Sequence, residues 1–480
     1  MRLAEALFLA SLAAAFLLGF TSLAGLGRLA ASVLLVGGLL LVHLTVDGAR
    51  WQMIPAYASA FGLAALVAGR LFGPAPTLWP YGAALGLVGV LASAAAGLAV
   101  PVFRLPAPPG PYPIGTSSIA LTDWGRADPF TGEPGRRLVA QIWYPAQAGT
   151  GVGAAPYVED GVALAPLARL LGLPGWALGH LALVRTHARS EAAMAASSER
   201  WPVVIFAHGR GGFRQHNTGL VEALASHGYV VVALDQPGAA AGVRLPDGRR
   251  LDFDPRMADR DFAHAMAPAL AEDITFLIDA LQRLNAGDLH ERWKARFDLT
   301  RLGAAGVSLG GAVIAQACVL DQRIRACLPI DVYMPPAAAA GGLSQPTLWI
   351  TRDAETMRRE GWAEIDVAET QETIASAWSG MAAPGYVLRA PGAYHVDFSD
   401  AALMAPGPVG RRLGLIGPAK PGVVSQLTTS AAIAFFDHAL RGASIEPLEA
   451  AARRAEASLE LNAAARLSSP PAGPPRSALP

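Results

Sequence analysis

The 480-residue sequence predicts an α/β protein, in which a bundle of about four apolar helices precedes a mostly parallel, doubly wound sheet covered by helices. Two observations support this prediction. The first hundred residues contain long stretches without a charged side chain, and from residue 116 onward short β-rich runs alternate with longer helical stretches. Such alternation is typical of βαβ crossovers, which build an open twisted sheet.

The charge and composition exclude several classes of protein. Lys and Arg together number 38, as do Asp and Glu, so the formal net charge is 0. A nucleic-acid partner, which needs a basic excess, is therefore not expected. Only 16% of the residues are charged, against about 25% in soluble domains, so part of the chain is expected to face lipid. Cys318 and Cys327 form neither a disulfide framework nor a Cys-x-x-Cys metal motif.

Residues 1–104 are predicted to form a transmembrane helical region. A hydrocarbon core about 30 Å thick needs roughly 20 apolar residues in a helix, and the segments that approach this length are 5–26, 29–46, 53–72 and 80–103. A cleaved signal peptide explains only the first of them. Four crossings predict an integral multi-pass protein, with the following domain on the same side of the bilayer as the N-terminus. The basic residues are too evenly distributed to identify that side.

The rest of the chain divides at changes in composition. Residues 105–115 are rich in proline, which predicts a stiff, extended linker. Residues 116–442 carry the predicted sheet, and within them residues 148–200 are a candidate lid or insert because their helical pattern is weak. Residues 443–480 are predicted to hold a C-terminal helix followed by a disordered tail rich in Ser, Pro and Ala.

Continuous apolar runs identify the strands, because a strand buried on both faces of a parallel sheet needs apolar side chains on both sides. The predicted strands are 138–144, 203–207, 229–234, 302–307, 324–330, 347–351 and 386–389. The helical stretches between and after them are 218–227, 267–284, 309–320 and 424–440.

A candidate nucleophile lies at the turn between a predicted strand and the helix that follows it. The segment Gly306-Val307-Ser308-Leu309-Gly310 has the pattern G-x-S-x-G, which at such a turn forms a nucleophile elbow. The turn forces the serine into a strained backbone conformation, and side chains larger than glycine on either side would collide. The helix N-terminus then favours an oxyanion beside Ser308.

A second glycine-rich loop follows the predicted strand 203–207. The sequence His208-Gly209-Arg210-Gly211-Gly212 can turn a backbone N–H toward the nucleophile and so complete an oxyanion hole. We expect the backbone N–H groups of Arg210 and Leu309 to be its donors. His208 is expected to brace this loop rather than to act as a base.

A serine nucleophile needs a histidine to accept its proton and a carboxylate to orient the imidazole. The chain order of acid and histidine after the serine leaves His395 and His438 as candidates. His438 lies in a helical stretch, whereas His395 lies in a loop after the last predicted strand, so His395 is the expected base. Asp331 and Asp353 each follow a predicted strand, and position alone does not distinguish them as the acid.

These segments resemble the platelet-activating factor acetylhydrolases of the plasma and type II kind. The resemblance covers roughly residues 116–442 and rests on residues 203–235, 306–311, 328–335 and 393–398. It implies the α/β-hydrolase fold and the metal-free cleavage of short or oxidised acyl chains from phospholipids. It also implies that Asp331 is the acid and that the oxyanion donors are at Arg210 and Leu309.

The expected function is that of a membrane-anchored serine carboxylic-ester hydrolase with the triad Ser308, Asp331 and His395. Its expected partners are the lipid bilayer and a small-molecule or lipid ester, either short-acyl or phospholipid-like, and no cofactor or metal is expected. The alternatives left open are a cutinase-like or dienelactone hydrolase-like esterase, a peptidase with the same triad, and a catalytically inactive membrane sensor.

Overall fold

The computed structural model describes residues 1–21, 23–72, 79–159, 161–404 and 407–468. The predicted tail from residue 469 onward lies outside the described residues, as do residues 73–78 between the third and fourth apolar segments.

The helices are α1 (Leu3–Leu18), α2 (Leu26–Val42), α3 (Ile54–Phe72), α4 (Trp79–Ala99), α5 (Leu164–Leu170), α6 (Thr218–Ser226), α7 (Arg260–Ala286), α8 (Leu309–Leu320), α9 (Ala354–Glu360), α10 (Glu364–Gly380), α11 (Gly407–Arg412), α12 (Val423–Arg441), α13 (Glu446–Arg454) and α14 (Ala463–Ser468). The strands are β1 (Ile114–Ala127), β2 (Pro134–Pro145), β3 (Ala154–Pro156), β4 (Arg185–Ser190), β5 (Trp201–Ala207), β6 (Val230–Asp235), β7 (Gly242–Arg244), β8 (Arg250–Asp252), β9 (Phe297–Val307), β10 (Ala326–Ile330), β11 (Thr347–Thr351), β12 (Gly385–Arg389) and β13 (Ser458–Leu461).

A central sheet organises the larger part of the chain. Within the described residues, 11 strands form it in the order β13-β12-β11-β10-β9-β5-β6-β2-β1-β4-β3. The six strands from β12 to β6 are parallel to one another, and β2 and β13 pair antiparallel at their two sides. The fold-class prediction is confirmed, because this is a mostly parallel sheet with helices on both faces.

Helices cover both faces of this sheet, which explains the apolar runs of its strands. Every residue of β5, β6, β10 and β11 is buried. Helices α7 and α8 pack on one face through Ile274 and Val313, among others, and helices α6 and α12 pack on the other through Leu224 and Phe436. A parallel strand covered on both sides cannot place polar side chains in water, so its sequence lacks alternation.

The sheet reaches beyond the predicted boundaries of its domain. Strand β1 begins at Ile114, inside the segment predicted as a linker, and β13 joins the sheet beyond residue 442. The predicted insert, 148–200, contains β3, α5 and β4, and its two strands extend the sheet edge next to β1. These strands, which lie toward the two sides of the sheet, are short or half-exposed, so they lack the apolar runs from which the central strands were predicted.

The N-terminal helices form a bundle with its own apolar core. Three helices of the described chain are long and apolar enough to cross a membrane, by length and composition: Leu26–Asp47, Trp51–Arg70 and Trp79–Ala99. The first predicted crossing, 5–26, is not one of these three, because α1 has only 16 residues and ends at Leu18. Beyond that end, the Thr21 hydroxyl donates to the Leu18 carbonyl at 2.8 Å. The fourth ends at Ala99, because Pro101 disfavours helical backbone in the residue before it.

Polar groups gather at one end of the bundle. There Glu5 and Arg50 form a buried ion pair, with Arg50 Nε 3.0 Å from Glu5 Oε2, and the guanidinium of Arg50 also donates to the Val100 carbonyl at 3.2 Å. These contacts bring the beginning of α1, the turn between α2 and α3 and the exit of α4 to the same end. That end contacts the insert, where Trp51 Nε1 donates to the Ala177 carbonyl at 3.0 Å.

Candidate active site

The carboxyl ends of parallel strands bring the candidate residues to one edge of the sheet. Ser308 follows β9, Asp331 follows β10, and the loop that begins at His208 follows β5, which is paired in parallel with β9. His395 lies in the segment after β12. Residues far apart in sequence therefore meet at this edge, as is usual for sites in open α/β sheets.

The turn at Ser308 is strained in the way that the motif predicts. Ser308 has φ +55° and ψ −132°, a conformation that side-chain-bearing residues rarely adopt. A Cβ atom on Gly306 would lie 2.3 Å from the Gly310 carbonyl oxygen, and one on Gly310 would lie 2.2 Å from the Ala207 carbonyl oxygen. Glycine is therefore required on both sides of the serine. The strain holds Ser308 at the N-terminus of α8.

A cavity of about 600 Å³ opens at this edge of the sheet. Ser308, Asp331 and His395 all line it, together with Arg210 and Leu309. The structure thus brings five of the six candidate site residues to one cavity.

Asp331 and His395 are in direct contact. His395 Nδ1 lies 2.6 Å from Asp331 Oδ2, and the carboxylate is almost entirely buried. Asp353, the sixth candidate, instead caps α9, accepting the Thr356 N–H and the Thr356 hydroxyl at 2.8 Å each. His438 lies in α12 and contacts the Ala443 carbonyl through Nδ1, at 2.7 Å.

The surroundings of Asp331 favour its ionised form. Burial by itself raises the pKa of this carboxyl, but the Arg352 guanidinium and the hydrogen bond to His395 outweigh it, so the pKa lies below its usual value. Arg352 Nε lies 3.0 Å from both oxygens of Asp331. An ionised carboxylate at this place accepts a hydrogen bond from Nδ1–H and leaves Nε2 of His395 free to accept a proton.

Ser308 and His395 share the cavity wall without a hydrogen bond between their side chains; the Ser308 hydroxyl has no hydrogen-bond partner among the residues that the structure describes. In ligand-free hydrolases this hydrogen bond is often long and tightens when substrate binds.

The two predicted oxyanion donors are unpaired in the described part of the chain: neither the Arg210 N–H nor the Leu309 N–H has an acceptor there. The Arg210 side chain donates to the carbonyls of Met257 and Ala258 at 3.2 and 3.3 Å. His208 is buried, with Nδ1 2.8 Å from the Gly209 carbonyl oxygen, and burial lowers its pKa. His208 is thus held within its own loop, as expected, and Arg210 lines the cavity.

Sequence reasoning missed three residues around the candidate acid and base. Arg352 directly follows β11 and pairs with Asp331, Glu360 accepts the His395 N–H at 3.0 Å, and the Trp362 ring lies against both Arg352 and His395. The sequence signal that could have identified Arg352 is a charged residue directly after an apolar strand. The same signal led to Asp353, the next residue, because a carboxylate was sought.

A metal site is not supported by the contacts in the bundle. Glu5, His43 and Asp47 place one ligand atom each within 4.8 Å of the others. However, Glu5 is already paired with Arg50, and Asp47 lies 3.9 Å from Arg2 Nε. Positive charge is therefore supplied there by the protein itself.

Comparisons with known proteins identify the family and the fold. The family described as platelet-activating factor acetylhydrolase, isoform II, matches residues 99–244 and 281–444. The platelet-activating factor acetylhydrolase of Gallus gallus is 20% identical over 377 residues, which cover 69% of this chain and 83% of that protein. That of Canis lupus familiaris is 26% identical over 218 residues, 39% of this chain and 48% of the dog protein. A ferulic acid esterase from Streptomyces cinnamoneus has a similar structure, with a TM-score of 0.58 and 29% identity over 72% of this chain and 94% of that one.

Proposed function

The chain belongs to the platelet-activating factor acetylhydrolase, isoform II, family and is a serine ester hydrolase, and from this premise we propose that Ser308, His395 and Asp331 are its catalytic triad. The observation that carries the proposal is the 2.6 Å contact between His395 and Asp331 at the wall of the cavity that Ser308 also lines.

The proposed reaction is a two-step acyl transfer. The Ser308 oxygen attacks the ester carbonyl carbon while His395 Nε2 takes the hydroxyl proton, and Asp331 holds the imidazole through Nδ1–H. The backbone N–H groups of Arg210 and Leu309 stabilise the oxyanion. When the C–O bond to the alcohol breaks, the proton on Nε2 passes to the leaving oxygen. Water then attacks the acyl-enzyme, with His395 again as the base, and releases the acid.

We propose short-acyl or phospholipid-like esters as the substrates. The names of the relatives and the cavity of about 600 Å³ support this class. A second class, ferulic acid esters, is favoured by the structural similarity to the Streptomyces cinnamoneus esterase, of which this chain covers 94%.

We also propose that the bundle anchors the enzyme in a membrane as a multi-pass region, with the hydrolase domain on the side of the N-terminus. The three long apolar helices support the anchoring. The contacts of Glu5, Arg50 and Val100 support the arrangement, because they place the chain start and the exit toward the hydrolase domain at one end of the bundle. Such an anchor raises the local concentration of lipidic esters around the active site.

Turnover by the full chain in detergent tests the triad. We expect hydrolysis of p-nitrophenyl acetate by the wild type, a loss of activity to background in Ser308→Ala, and wild-type activity in Ser379→Ala, which removes an exposed hydroxyl of α10. A fluorophosphonate probe should label the wild type and Ser379→Ala but not Ser308→Ala. Activity that survives Ser308→Ala would refute the proposal, and an unlabelled wild type would indicate an inactive sensor. A panel of acetyl, butyryl, long-chain and feruloyl esters, with matching amides, separates the substrate classes and the peptidase alternative.

A further inference from the structure

We propose that Arg352 and Glu360 act together as positioning residues, which hold the acid and the base of the triad in place and set the pH at which the base works. The inference rests on the proposed roles of Ser308, Asp331 and His395. It assigns a role to a charged pair that neither sequence motif contains.

Arg352 holds the carboxylate of the acid together with the histidine. Its side chain is fully buried, and Nε lies 3.0 Å from both carboxylate oxygens of Asp331. Asp331 itself has φ +47°, a left-handed conformation that side-chain-bearing residues rarely adopt. Contacts with neighbouring side chains are therefore needed to fix the orientation of its carboxylate. The planar guanidinium supplies that orientation, because it presents donors in a fixed geometry.

Glu360 connects this arginine to the base. One Glu360 oxygen is paired with Arg352 Nη1, and the carboxylate also accepts the backbone N–H of His395 at 3.0 Å. The same two side chains therefore hold the Asp331 carboxylate and the backbone of His395. Trp362 closes the arrangement, since its ring centre lies 4.6 Å from the Arg352 guanidinium carbon and 5.4 Å from the His395 ring centre.

The charges of this pair act on the imidazole in opposite directions. His395 becomes a cation when it takes the serine proton, so a nearby positive charge disfavours that state and a nearby negative charge favours it. Removing Arg352 should make protonation of His395 easier, and removing the charge of Glu360 should make it harder. A residue that only packs or only fixes the backbone has no reason to produce shifts of opposite sign.

Other titratable groups lie near His395. Burial raises the pKa of Asp397, and on this pKa Glu360 and Arg352 act in opposite directions. Asp397, on the same turn, accepts the N–H groups of Tyr394 and Gly417 at 2.8 Å, and His216 is kept neutral because burial lowers its pKa to about 4. Further charged or titratable groups of the same cavity are Arg210, Arg260, His264, Asp366 and Glu369. Within the described residues, neither Arg352 nor Glu360 lines the cavity, so they act through Asp331 and His395 and not on substrate.

The test is the pH dependence of kcat for p-nitrophenyl acetate with the full chain in detergent. We expect Arg352→Met to move the acidic limb of the profile to higher pH by about 0.5 unit or more, and Glu360→Gln to move it to lower pH by a similar amount. The double variant should return toward the wild-type limb. In each single variant kcat should fall about 10- to 100-fold with little change in KM. Arg352→Lys, which keeps the charge, should keep the limb close to its wild-type position.

A matched control is the exposed pair Arg358 and Glu364, in which Arg358 Nε of helix α9 lies 2.7 Å from Glu364 Oε1. The substitutions Arg358→Met and Glu364→Gln should leave the pH profile of kcat unchanged. Shifts of the same sign in the two buried variants, or no shift with a lower kcat, would overturn the inference. If Arg352→Met does not fold, the direction of the Glu360→Gln shift decides alone. The proposed function fails separately, through activity in Ser308→Ala.

Discussion

At the scale of single residues, the carboxylate of Asp331 contacts both the guanidinium of Arg352 and the imidazole of His395. Arg352 and His395 lower the pKa of this group against the effect of burial, so the folded protein keeps it ionised at neutral pH. Asp353 is also a carboxylate at a strand end, but its partners are the backbone and hydroxyl groups of Thr356. The same substitution is therefore expected to have different effects at the two aspartates.

We expect Asp331→Asn to lower kcat about 10³- to 10⁴-fold, because an amide at this position favours the wrong tautomer of His395. It should also destabilise the fold by about 3 kcal/mol, since Arg352 stays buried with half of its partners gone. Asp353→Asn is the matched control, and because asparagine is itself a good N-cap it should keep near-normal activity and stability. Ester turnover and thermal unfolding measure both. Equal activity loss in the two variants would argue against Asp331 as the acid.

Single residues also show where prediction from sequence stops. The elbow around Ser308 was predictable, because its glycines follow from the collisions that a side chain there would cause. Position along the chain did not decide between Asp331 and Asp353, and only the family resemblance favoured Asp331. The choice depends on whether a side chain turns toward His395 or back onto its own helix. Arg352 was missed for the same reason. Its role appears only when β10 and β11 lie side by side.

At the scale of elements, the seven predicted strands and four predicted helices of the sheet domain are all present, because burial on two faces imposes apolar runs that can be read directly. Strands β1 and β13 were not predicted. The long strand β1 alternates between buried and exposed positions, and β13 has four residues that never become fully buried. Strands that are not buried on both faces carry too weak a pattern to be predicted with the same rule.

One contact between two elements predicts how the free energy of unfolding depends on pH. Asp400 is buried beneath the first turn of α6, where it accepts the Gly219 N–H at 3.2 Å, and burial raises its pKa to about 8. Between the unfolded value of about 3.9 and this value, the folded state binds a proton that the unfolded state does not, so the free energy of unfolding falls as pH rises.

We expect Asp400→Asn to remove this dependence. The amide keeps an acceptor for the Gly219 N–H and cannot lose a proton, so the variant should gain stability relative to the wild type as pH rises from 5 to 8, by at most about 1.4 kcal/mol per pH unit. Denaturant unfolding at several pH values measures this difference. Parallel stability curves for the two proteins would contradict the prediction.

At the scale of the whole molecule, the bundle and the hydrolase domain meet through the polar end of the bundle. Trp51 contacts Ala177 by a hydrogen bond and Trp176 by an edge-on ring contact with centres 5.0 Å apart. Sequence patterns predicted both parts separately. The contact could not be predicted, because it joins a helix end to the insert, whose own structure lacked a clear pattern.

The arrangement of the bundle makes a topological prediction. With epitope tags at both ends of the chain and protein in sealed vesicles, we expect an added protease to digest both tags or neither, because chain start and hydrolase domain lie at one end of the bundle. Detergent should then expose both tags. Digestion of a single tag would show an odd number of crossings. A chain that lacks residues 1–98 should leave the membrane fraction in alkaline carbonate, whereas the full chain should stay.

The length of helix α1 has a consequence for the proposed membrane anchor. Its 16 residues rise about 24 Å, which is less than the roughly 30 Å hydrocarbon thickness of an average bilayer. In the proposed membrane anchor, this mismatch is relieved by local thinning of the bilayer or by snorkelling of flanking side chains, and it makes thin membranes energetically preferable to thick, sterol-rich ones. The length of one helix would then favour one kind of bilayer for the proposed anchor.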